Sequence, residues 1–289
     1  MALLYNETSE GGFGPGSIKF NQKYVHLNKD GMRDKDFSLE KPADTIRIAV
    51  IGDSYTFGSG VKDINLTYSK ILEKELNKLD DDKTYEVLNF GVPGYDAPQE
   101  LDMLKNKALN YNPDIIIIGY SVNDVVNIDS SINKSPDMIS IPFIGFWLRQ
   151  VSYSYYFLET RTNRFLENIG VRTSYEITLL EVYNSELNQN HSRILYKEIA
   201  ELTNANDISV ILVNFPITYN LKNYPFSIIT NFSRSVAEEN GFYFIDLTKP
   251  FSEFKPEELI VSKYDRHPNE LGHEIAAENI LEIFINKSL

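Results

Sequence analysis

The sequence predicts an α/β fold built on a parallel, doubly wound sheet. Two observations predict it: short apolar runs that suit buried strands recur along the chain, and segments with apolar residues at helical spacing alternate with them. No internal repeat or low-complexity stretch interrupts this alternation. The predicted strands lie at 46–51, 85–90, 114–120, 209–215 and 242–246. The predicted helices lie at 68–79, 98–109, 183–202, 227–239 and 269–285.

The strands are predicted from apolar runs that are too short for a helix and end at glycine or at a polar residue. IRIAVI at 46–51 and DIIIIGY at 114–120 are the clearest, SVILVNF at 209–215 has the same character, and the run at 85–90 ends at Gly91. Runs that are apolar at nearly every position are typical of strands covered on both faces, as in parallel sheets.

The helices are predicted from apolar residues three or four positions apart. The stripe in 68–79 consists of Ile71, Leu72, Leu76 and Leu79, and that in 98–109 of Leu101, Leu104 and Leu109. In doubly wound sheets the ligand site lies beyond the carboxyl ends of the strands. The residues that follow each strand are therefore the candidates for chemistry.

Two segments fall outside this alternation. Residues 1–44 are rich in Gly, Asn, Lys and Asp and predict an irregular N-terminal arm ahead of one domain at 45–289. An insertion at about 125–208 is expected to be helical and aromatic-rich, because seven aromatic residues lie between 143 and 157. These rings either cap the ligand cleft or pack a small core of the insertion itself.

Charge and cysteine content exclude several classes of function. The 289 residues include 28 Lys and Arg against 41 Asp and Glu, a formal net charge of −13. That field repels polyanions, so nucleic acid and anionic membrane surfaces are poor candidate partners. The absence of cysteine excludes disulfides, thiolate metal sites and a cysteine nucleophile. No apolar run approaches the ~18 residues that a spanning helix needs, so no membrane insertion of this chain is expected.

Four groups of polar residues and glycines follow predicted strands or precede the last helix. They are Gly52-Asp53-Ser54-Tyr55, the glycine turn at 89–94, Asn123-Asp124 and Asp265-Arg266-His267. Serine, histidine and aspartate are the parts of a nucleophile, a base and its orienter. Backbone N–H groups of a glycine turn and an Asn amide are the parts of an oxyanion hole. Each group alone is typical of a turn or a helix cap, but their joint occurrence predicts one reactive cleft.

These groups lie within blocks that resemble those of one enzyme family. GDSYTFGSGV at 52–61, NFGVPGY at 89–95, GYSVND at 119–124 and DRHPNELGH at 265–273 are similar to the successive blocks of SGNH (GDSL-like) hydrolases. NKDGMRD at 28–34 also resembles the Asn-x-x-Gly-x-Arg segment of many bacterial and archaeal members. The resemblance implies a flavodoxin-like three-layer αβα sandwich with a five-stranded parallel sheet. It also implies a serine hydrolase acting on carboxylic esters, often acyl or acetyl groups on sugars or lipids.

The resemblance assigns roles by motif position. Ser54 matches the nucleophile and one oxyanion-hole N–H, Gly94 the second N–H, and Asn123 the side-chain donor. His267 matches the base and Asp265 its orienter. The family commonly places this aspartate three residues before the histidine, whereas here the separation is two. Residues two apart share a side of extended backbone, so the pair can still meet, and a backbone carbonyl is the alternative orienter.

No metal and no cofactor are expected. Clusters of histidine and carboxylate with metal-ligand spacing are lacking, and the implied chemistry needs neither. Of the other histidines, His273 is expected to pack at the start of the last helix, and His26 and His191 to lie on the surface.

Three kinds of protein remain open at this point. The first is an esterase acting on a small-molecule or glycan acyl ester, and the second is an O-acyltransferase in which a sugar hydroxyl replaces water. The third is a non-catalytic binding module, which would not need Ser54 and His267 together. Because members of this family often follow an N-terminal membrane anchor, an extracytoplasmic location is expected, with a cytoplasmic one as the alternative. The oligomeric state is unknown from sequence.

Overall fold

The computed structural model describes residues 16–20, 23–79, 82–126, 128–129, 131–132, 161–162, 175–263 and 265–287. Strands in these residues are β1 Gly16–Phe20, β2 Lys23–Leu27, β3 Thr45–Gly52, β4 Thr84–Asn89, β5 Ile115–Tyr120, β6 Ser209–Asn214, β7 Tyr243–Asp246, β8 Ile260–Ser262 and β9 Asp265–Pro268. Helices are α1 Ser54–Phe57, α2 Tyr68–Leu76, α3 Ala97–Asn106, α4 Tyr175–Asn184, α5 Glu186–Asn204, α6 Ser227–Asn240, α7 Thr248–Ser252, α8 Pro256–Leu259 and α9 Glu270–Lys287.

Five strands form one parallel sheet in the order β4-β3-β5-β6-β7. They correspond to the five strands predicted from apolar runs, and the parallel five-stranded sheet is confirmed. The ends of β3 and β5 are in register, with Gly52 beside Gly119. The segments that follow these strands therefore leave the sheet at the same edge.

Alternate side chains of the strands enter two separate cores. In β3, Ile48 and Val50 pack with α2 and α9, whereas Ala49 and Ile51 pack with α3, α5 and α6 on the opposite face. All four of these strand side chains are buried, as a sheet covered on both faces requires. The three-layer αβα sandwich is thus confirmed.

Two predicted helices end differently from their sequence pattern. The helix expected at 98–109 ends at Asn106 and continues as a 3₁₀ turn over Ala108–Tyr111, which Asn112 closes in a left-handed conformation with φ 50°. The helix expected at 183–202 divides into α4 and α5. Ser185 separates them because its hydroxyl accepts the Asn188 N–H at 3.4 Å and caps the second helix.

The arm contains regular structure that the sequence analysis does not predict. Strands β1 and β2 pair antiparallel, with Ile18 opposite Val25, and Leu27 is buried in the main core. Apolar residues alternate with polar ones through both segments, which is a strand pattern in a polar setting. The expectation of an irregular arm is therefore corrected at these two strands, whereas the division of the chain at 44/45 stays a prediction.

The aromatic residues at 143–157 lie outside the described residues, so the expectation that they cap the cleft stays a prediction. The described part of the insertion is helical over α4 and α5. Among the helices in the described ranges, none combines the length and apolar character needed to cross a membrane.

Candidate active site

Ser54 lies directly after β3, at the first position of α1. The helix starts here because the Asp53 side chain accepts the Tyr55 N–H at 2.8 Å, and it ends at Gly58, whose φ of 76° suits glycine. Ser54 is only 8% exposed. The chain thus turns sharply at the edge of the sheet and holds the serine hydroxyl at its rim.

His267 brings the far end of the sequence to this serine. Its Nε2 lies 2.9 Å from Ser54 Oγ, although the two residues are 213 positions apart. Its Nδ1 lies 2.5 Å from Asp265 Oδ1, and its backbone N–H donates to the same oxygen at 3.2 Å. The Tyr55 ring and the imidazole also pack in a T-shaped arrangement, with ring centroids 5.5 Å apart. Serine, histidine and aspartate therefore form one continuous hydrogen-bonded relay.

The position of His267 follows from the segment around it. Asp265 and His267 are both in β9, and extended backbone directs side chains two residues apart to the same side. Asn269 then accepts the N–H groups of Leu271 and Gly272 at the start of α9 and donates to the Glu258 and Ile260 carbonyls. Each of these bonds fixes the strand-to-helix turn that carries the imidazole.

The glycine turn of the second block packs against α1. Val92 N–H donates to the Gly52 carbonyl at 3.0 Å, and Asn89 Nδ2 donates to the Thr56 carbonyl at 2.9 Å. A Cβ on Gly91 would lie 2.4 Å from the Phe57 nitrogen, so only glycine permits this approach. Gly94 follows with φ 86° and is exposed, with open space on the side where a Cβ would be.

Asn123 is exposed just after the end of β5, and its side-chain amide is hydrogen-bonded to the buried Asp53. Its Nδ2 donates to Asp53 Oδ2 at 2.9 Å, and its backbone N–H donates to Ser121 Oγ at 3.2 Å. The Ser121 hydroxyl in turn donates to Asp53 Oδ2 at 2.9 Å. The residue before the serine thus connects the first and third blocks directly.

Three buried carboxyl groups lie beneath this edge: Asp53, Glu100 and Asp124, all at most 1% exposed. In the described part of the chain, neither Glu100 oxygen has a hydrogen-bond partner, and neither has Asp124 Oδ1. Burial and the neighbouring carboxylates raise the pKa of Glu100 and Asp124 well above the ordinary range. Asp53 and Asp96 contribute to the rise in both, and Glu100 adds to the rise in Asp124. Burial and the two carboxyl groups in turn raise the pKa of the neighbouring Tyr120 and Tyr196 hydroxyls. Glu100 and Asp124 therefore hold their protons more tightly than exposed carboxyl groups do.

The Thr56 side chain accounts for the glycines at positions 52 and 119, because it fills the space that a side chain there would need. Its Oγ1 lies 2.7 Å from the Tyr68 hydroxyl. A Cβ on Gly52 would approach Oγ1 to 2.2 Å, and one on Gly119 would approach it to 2.3 Å. Both strand ends thus lack side chains where α1 inserts its threonine between them.

The NKDGMRD segment supports α1 from its far end. Arg33 Nη1 donates to the carbonyls of Phe57 and Gly58, and its Nη2 donates to the carbonyl of Val61 at 2.6 Å. The neighbouring Asp34 pairs with buried Lys70 at 2.9 Å. A positive group at the last carbonyls of a helix stabilises that end, so this segment of the arm holds the serine-bearing turn in place.

A cavity of about 590 Å³ borders the site next to Asp265. Its walls come from the arm, the loop after α1 and β8, and include Val25, Ser59, Lys62 and Val261. Asp265 therefore faces open space beside its contact with the imidazole.

The remaining histidines lie apart from this relay. His273 is fully buried and accepts the Tyr68 N–H through Nδ1 at 3.2 Å, and burial lowers its pKa to about 3. His26 is exposed and His191 partly exposed. Within the described ranges no group of three or more His, Asp or Glu residues is arranged to hold a metal ion.

The structure therefore brings together Ser54, Asp265 and His267 and joins Asn123 to the same turn. Sequence reasoning does not single out Glu100, which lies on a helix whose pattern is that of an ordinary amphipathic segment. Its position four residues after the capping Asp96 matches the inner side of α3, beside Leu101 and Leu104. That placement is the one signal of its burial.

The model of the GDSL-like Lipase/Acylhydrolase family matches residues 50–275, which include the blocks at 52–61, 89–95, 119–124 and 265–273. No curated protein sequence matches the chain.

Solved structures share the fold at low sequence identity. An acetyl xylan esterase, AlAXEase, superposes with a TM-score of 0.50 and 18% identity over 82% of this chain and 98% of its own. Axe2, an acetylxylan esterase from Geobacillus stearothermophilus, superposes with a TM-score of 0.53 and 16% identity over 82% of this chain and 93% of its own. A two-domain esterase active on acetylated mannans superposes with a TM-score of 0.54 and 18% identity over 84% of this chain and 49% of its own.

The family match spans most of the chain and contains the segments that carry the Ser54–His267 contact, and the fold agrees with that of solved esterases. The chain belongs to the GDSL-like Lipase/Acylhydrolase family and is an ester-hydrolysing enzyme.

Proposed function

We propose that the chain is a serine esterase that hydrolyses acyl or acetyl esters through an acyl-enzyme on Ser54. The observation that carries the proposal is the relay from Ser54 Oγ to His267 Nε2 at 2.9 Å and from His267 Nδ1 to Asp265 Oδ1 at 2.5 Å. A serine hydroxyl is a weak nucleophile unless an adjacent base removes its proton. This geometry supplies that base and orients it.

In the first half of the reaction, His267 takes the Ser54 proton while Oγ attacks the ester carbonyl carbon. The negative charge that develops on the carbonyl oxygen meets the N–H groups of Ser54 and Gly94 and the Asn123 amide. The imidazolium then gives its proton to the departing alcohol oxygen, and the C–O bond of the ester breaks. Asp265 stabilises the imidazolium during this interval.

In the second half, water replaces the alcohol. His267 removes a proton from the water as its oxygen attacks the acyl-enzyme carbonyl, and the same donors stabilise the second oxyanion. The proton returns to Ser54 Oγ as the acyl–serine bond breaks, which releases the carboxylic acid. No cofactor takes part in this proposal.

Acetyl esters of carbohydrates are the proposed substrate class. The support is that three structures of similar fold are described as esterases of acetylated xylan or mannan. Long-chain lipid esters are the competing class. An acetyl group is small, and a pocket that fits it excludes longer acyl chains. The proposal therefore predicts that activity falls steeply as the acyl chain lengthens.

The test is hydrolysis of aryl esters of increasing acyl length by the wild type, Ser54→Ala and Ser59→Ala. Ser59 is a matched control, since it is a buried serine whose hydroxyl has no hydrogen-bond partner in the described part of the chain. We expect Ser54→Ala to abolish turnover and Ser59→Ala to retain it. Undiminished turnover in Ser54→Ala would overturn the serine mechanism, and a preference for long chains would overturn the acetyl class.

An O-acyltransferase uses the same relay with a sugar hydroxyl in place of water. Product analysis with acetylated oligosaccharides, in the presence and absence of an unacetylated acceptor sugar, separates the two. The proposal predicts free acetate in equal amounts under both conditions. Transfer of most acetyl groups to the acceptor would identify an acyltransferase instead.

A further inference from the structure

We propose that Asp53 is a positioning residue of the oxyanion hole, whose carboxylate turns one N–H of the Asn123 side chain toward the substrate. The inference rests on the proposed function, because it concerns how one of the proposed oxyanion donors is aimed. It gives a specific task to the residue before the nucleophile, beyond starting α1.

Asp53 accepts hydrogen bonds through both of its carboxylate oxygens. Oδ1 accepts the Tyr55 N–H at 2.8 Å, and Oδ2 accepts the Ser121 hydroxyl and the Asn123 amide, each at 2.9 Å. The side chain of Asp53 is buried, whereas Asn123 is exposed at the site. The carboxylate therefore acts on Asn123 from the protein interior.

The chemistry of the two groups decides how the amide is presented. A primary amide has an acceptor end and a donor end with two N–H groups, whereas a carboxylate only accepts. The nitrogen end of Asn123 must therefore face Asp53, which uses one N–H and leaves the second for a ligand. An asparagine at position 53 both donates and accepts, so it could pair with either the oxygen or the nitrogen of the Asn123 amide. If the nitrogen faced position 53 no longer, the Asn123 oxygen would point to the substrate and repel an oxyanion.

The donors around Asp53 suit its carboxylate form, because both of its oxygens accept from N–H or O–H groups. Burial raises the pKa of Asp53, and the hydrogen bonds from Tyr55 and Ser121 and the proximity of His267 oppose part of that rise. Glu100 and Asp124 have fewer donors, and burial raises the pKa of both well above the ordinary range. Asp53 thus accepts hydrogen bonds through both oxygens, whereas neither Glu100 oxygen has a hydrogen-bond partner in the described part of the chain.

The test is a double-mutant cycle on kcat and KM with Asp53→Asn, Asn123→Ala and the double variant. Removing one oxyanion donor costs about 10²–10³ in kcat, and we expect Asn123→Ala to lose this much with KM within about threefold. Asp53→Asn should lose at least about tenfold in kcat with a similar KM. The double variant should be no slower than Asn123→Ala by more than about threefold, because the two residues act through one contact.

Glu100→Gln is the matched control, since it removes a carboxyl from the same buried cluster without touching Asn123. It should keep kcat within about threefold of the wild type. Asp53→Ser is the second variant, because serine also caps a helix start but is too short to reach Asn123. It should lose kcat as Asp53→Asn does, and circular dichroism melting of every variant shows whether it is folded.

The positioning role would be overturned if the loss in kcat of the double variant equalled the product of the two single losses. A folded Asp53→Ser with wild-type kcat would also overturn it. Labelling by a fluorophosphonate probe separates this failure from that of the proposed function. If the probe labels Ser54 in the wild type and the cycle is multiplicative, only the Asp53 inference fails. If the wild type is not labelled at Ser54, the proposed mechanism fails first.

Discussion

The contact between Asp265 and His267 leads to a prediction about Asp265→Asn that differs from the usual behaviour of a catalytic triad. In the serine protease triad, the equivalent change costs about 10⁴ in kcat because the imidazole is left in the wrong tautomer. Here Asp265 Oδ1 also accepts the backbone N–H of His267 at 3.2 Å. An asparagine would keep its carbonyl oxygen at this N–H, and the same oxygen would still accept from Nδ1. The variant therefore loses the charge but keeps the tautomer.

The magnitude follows from the value of that charge. A hydrogen bond to a charged group is worth about 1.5–3 kcal/mol, and at ~1.4 kcal/mol per decade this is about one to two decades in kcat. The Asp265 side chain is 24% exposed and borders the cavity, so solvent screening places the loss in the lower half of that range.

The assay is kcat on one activated acetyl ester for the wild type, Asp265→Asn and His267→Ala, measured at several pH values. We expect a loss of about ten- to thirtyfold in Asp265→Asn and near-complete loss in His267→Ala. A rate within about threefold of the wild type would mean that the carboxylate does not act on the ring. A loss near 10⁴ would refute the argument that the backbone N–H preserves the tautomer.

Two further predictions concern stability. Because the raised pKa of Glu100 makes the folded state bind a proton that the unfolded state releases, stability falls as pH rises above the ordinary carboxyl range. Glu100→Gln should therefore melt higher than the wild type at pH 8 and gain less at pH 5, and a pH-independent difference in Tm would contradict this. Gly119→Ala should cost about 1–3 kcal/mol in urea unfolding, because its Cβ would lie 2.3 Å from Thr56 Oγ1 and 2.8 Å from the Tyr68 hydroxyl. A cost below ~0.5 kcal/mol would show that the Thr56 side chain moves aside freely.

The sheet was predictable because both of its faces are covered, which makes β3 and β5 apolar at nearly every position. Helix ends were less predictable, since they depend on single residues such as Ser185 and Asn112, whose capping is visible only in the structure. The hairpin of β1 and β2 was missed because its apolar alternation is short and lies in a polar segment.

The candidate site divides along the same lines. The motif order points to Ser54 and His267, but the 2.9 Å contact joins residues 213 positions apart and depends on the whole sheet. The motif match points to Asn123, but its bond to Asp53 was not predictable, because in sequence Asp53 looks like an ordinary turn residue. Glu100 was missed because glutamate on an amphipathic helix is expected on the exposed face and is rarely fully buried.

The central claim, that Ser54 is the acylated nucleophile and His267 activates it, is tested most directly by mass-spectrometric mapping of a fluorophosphonate adduct. The account predicts a single adduct on Ser54 in the wild type, strongly slowed labelling in His267→Ala and none in Ser54→Ala, with Ser59→Ala labelled as the wild type is. An adduct on another residue, or labelling of Ser54 at the wild-type rate in His267→Ala, would contradict it.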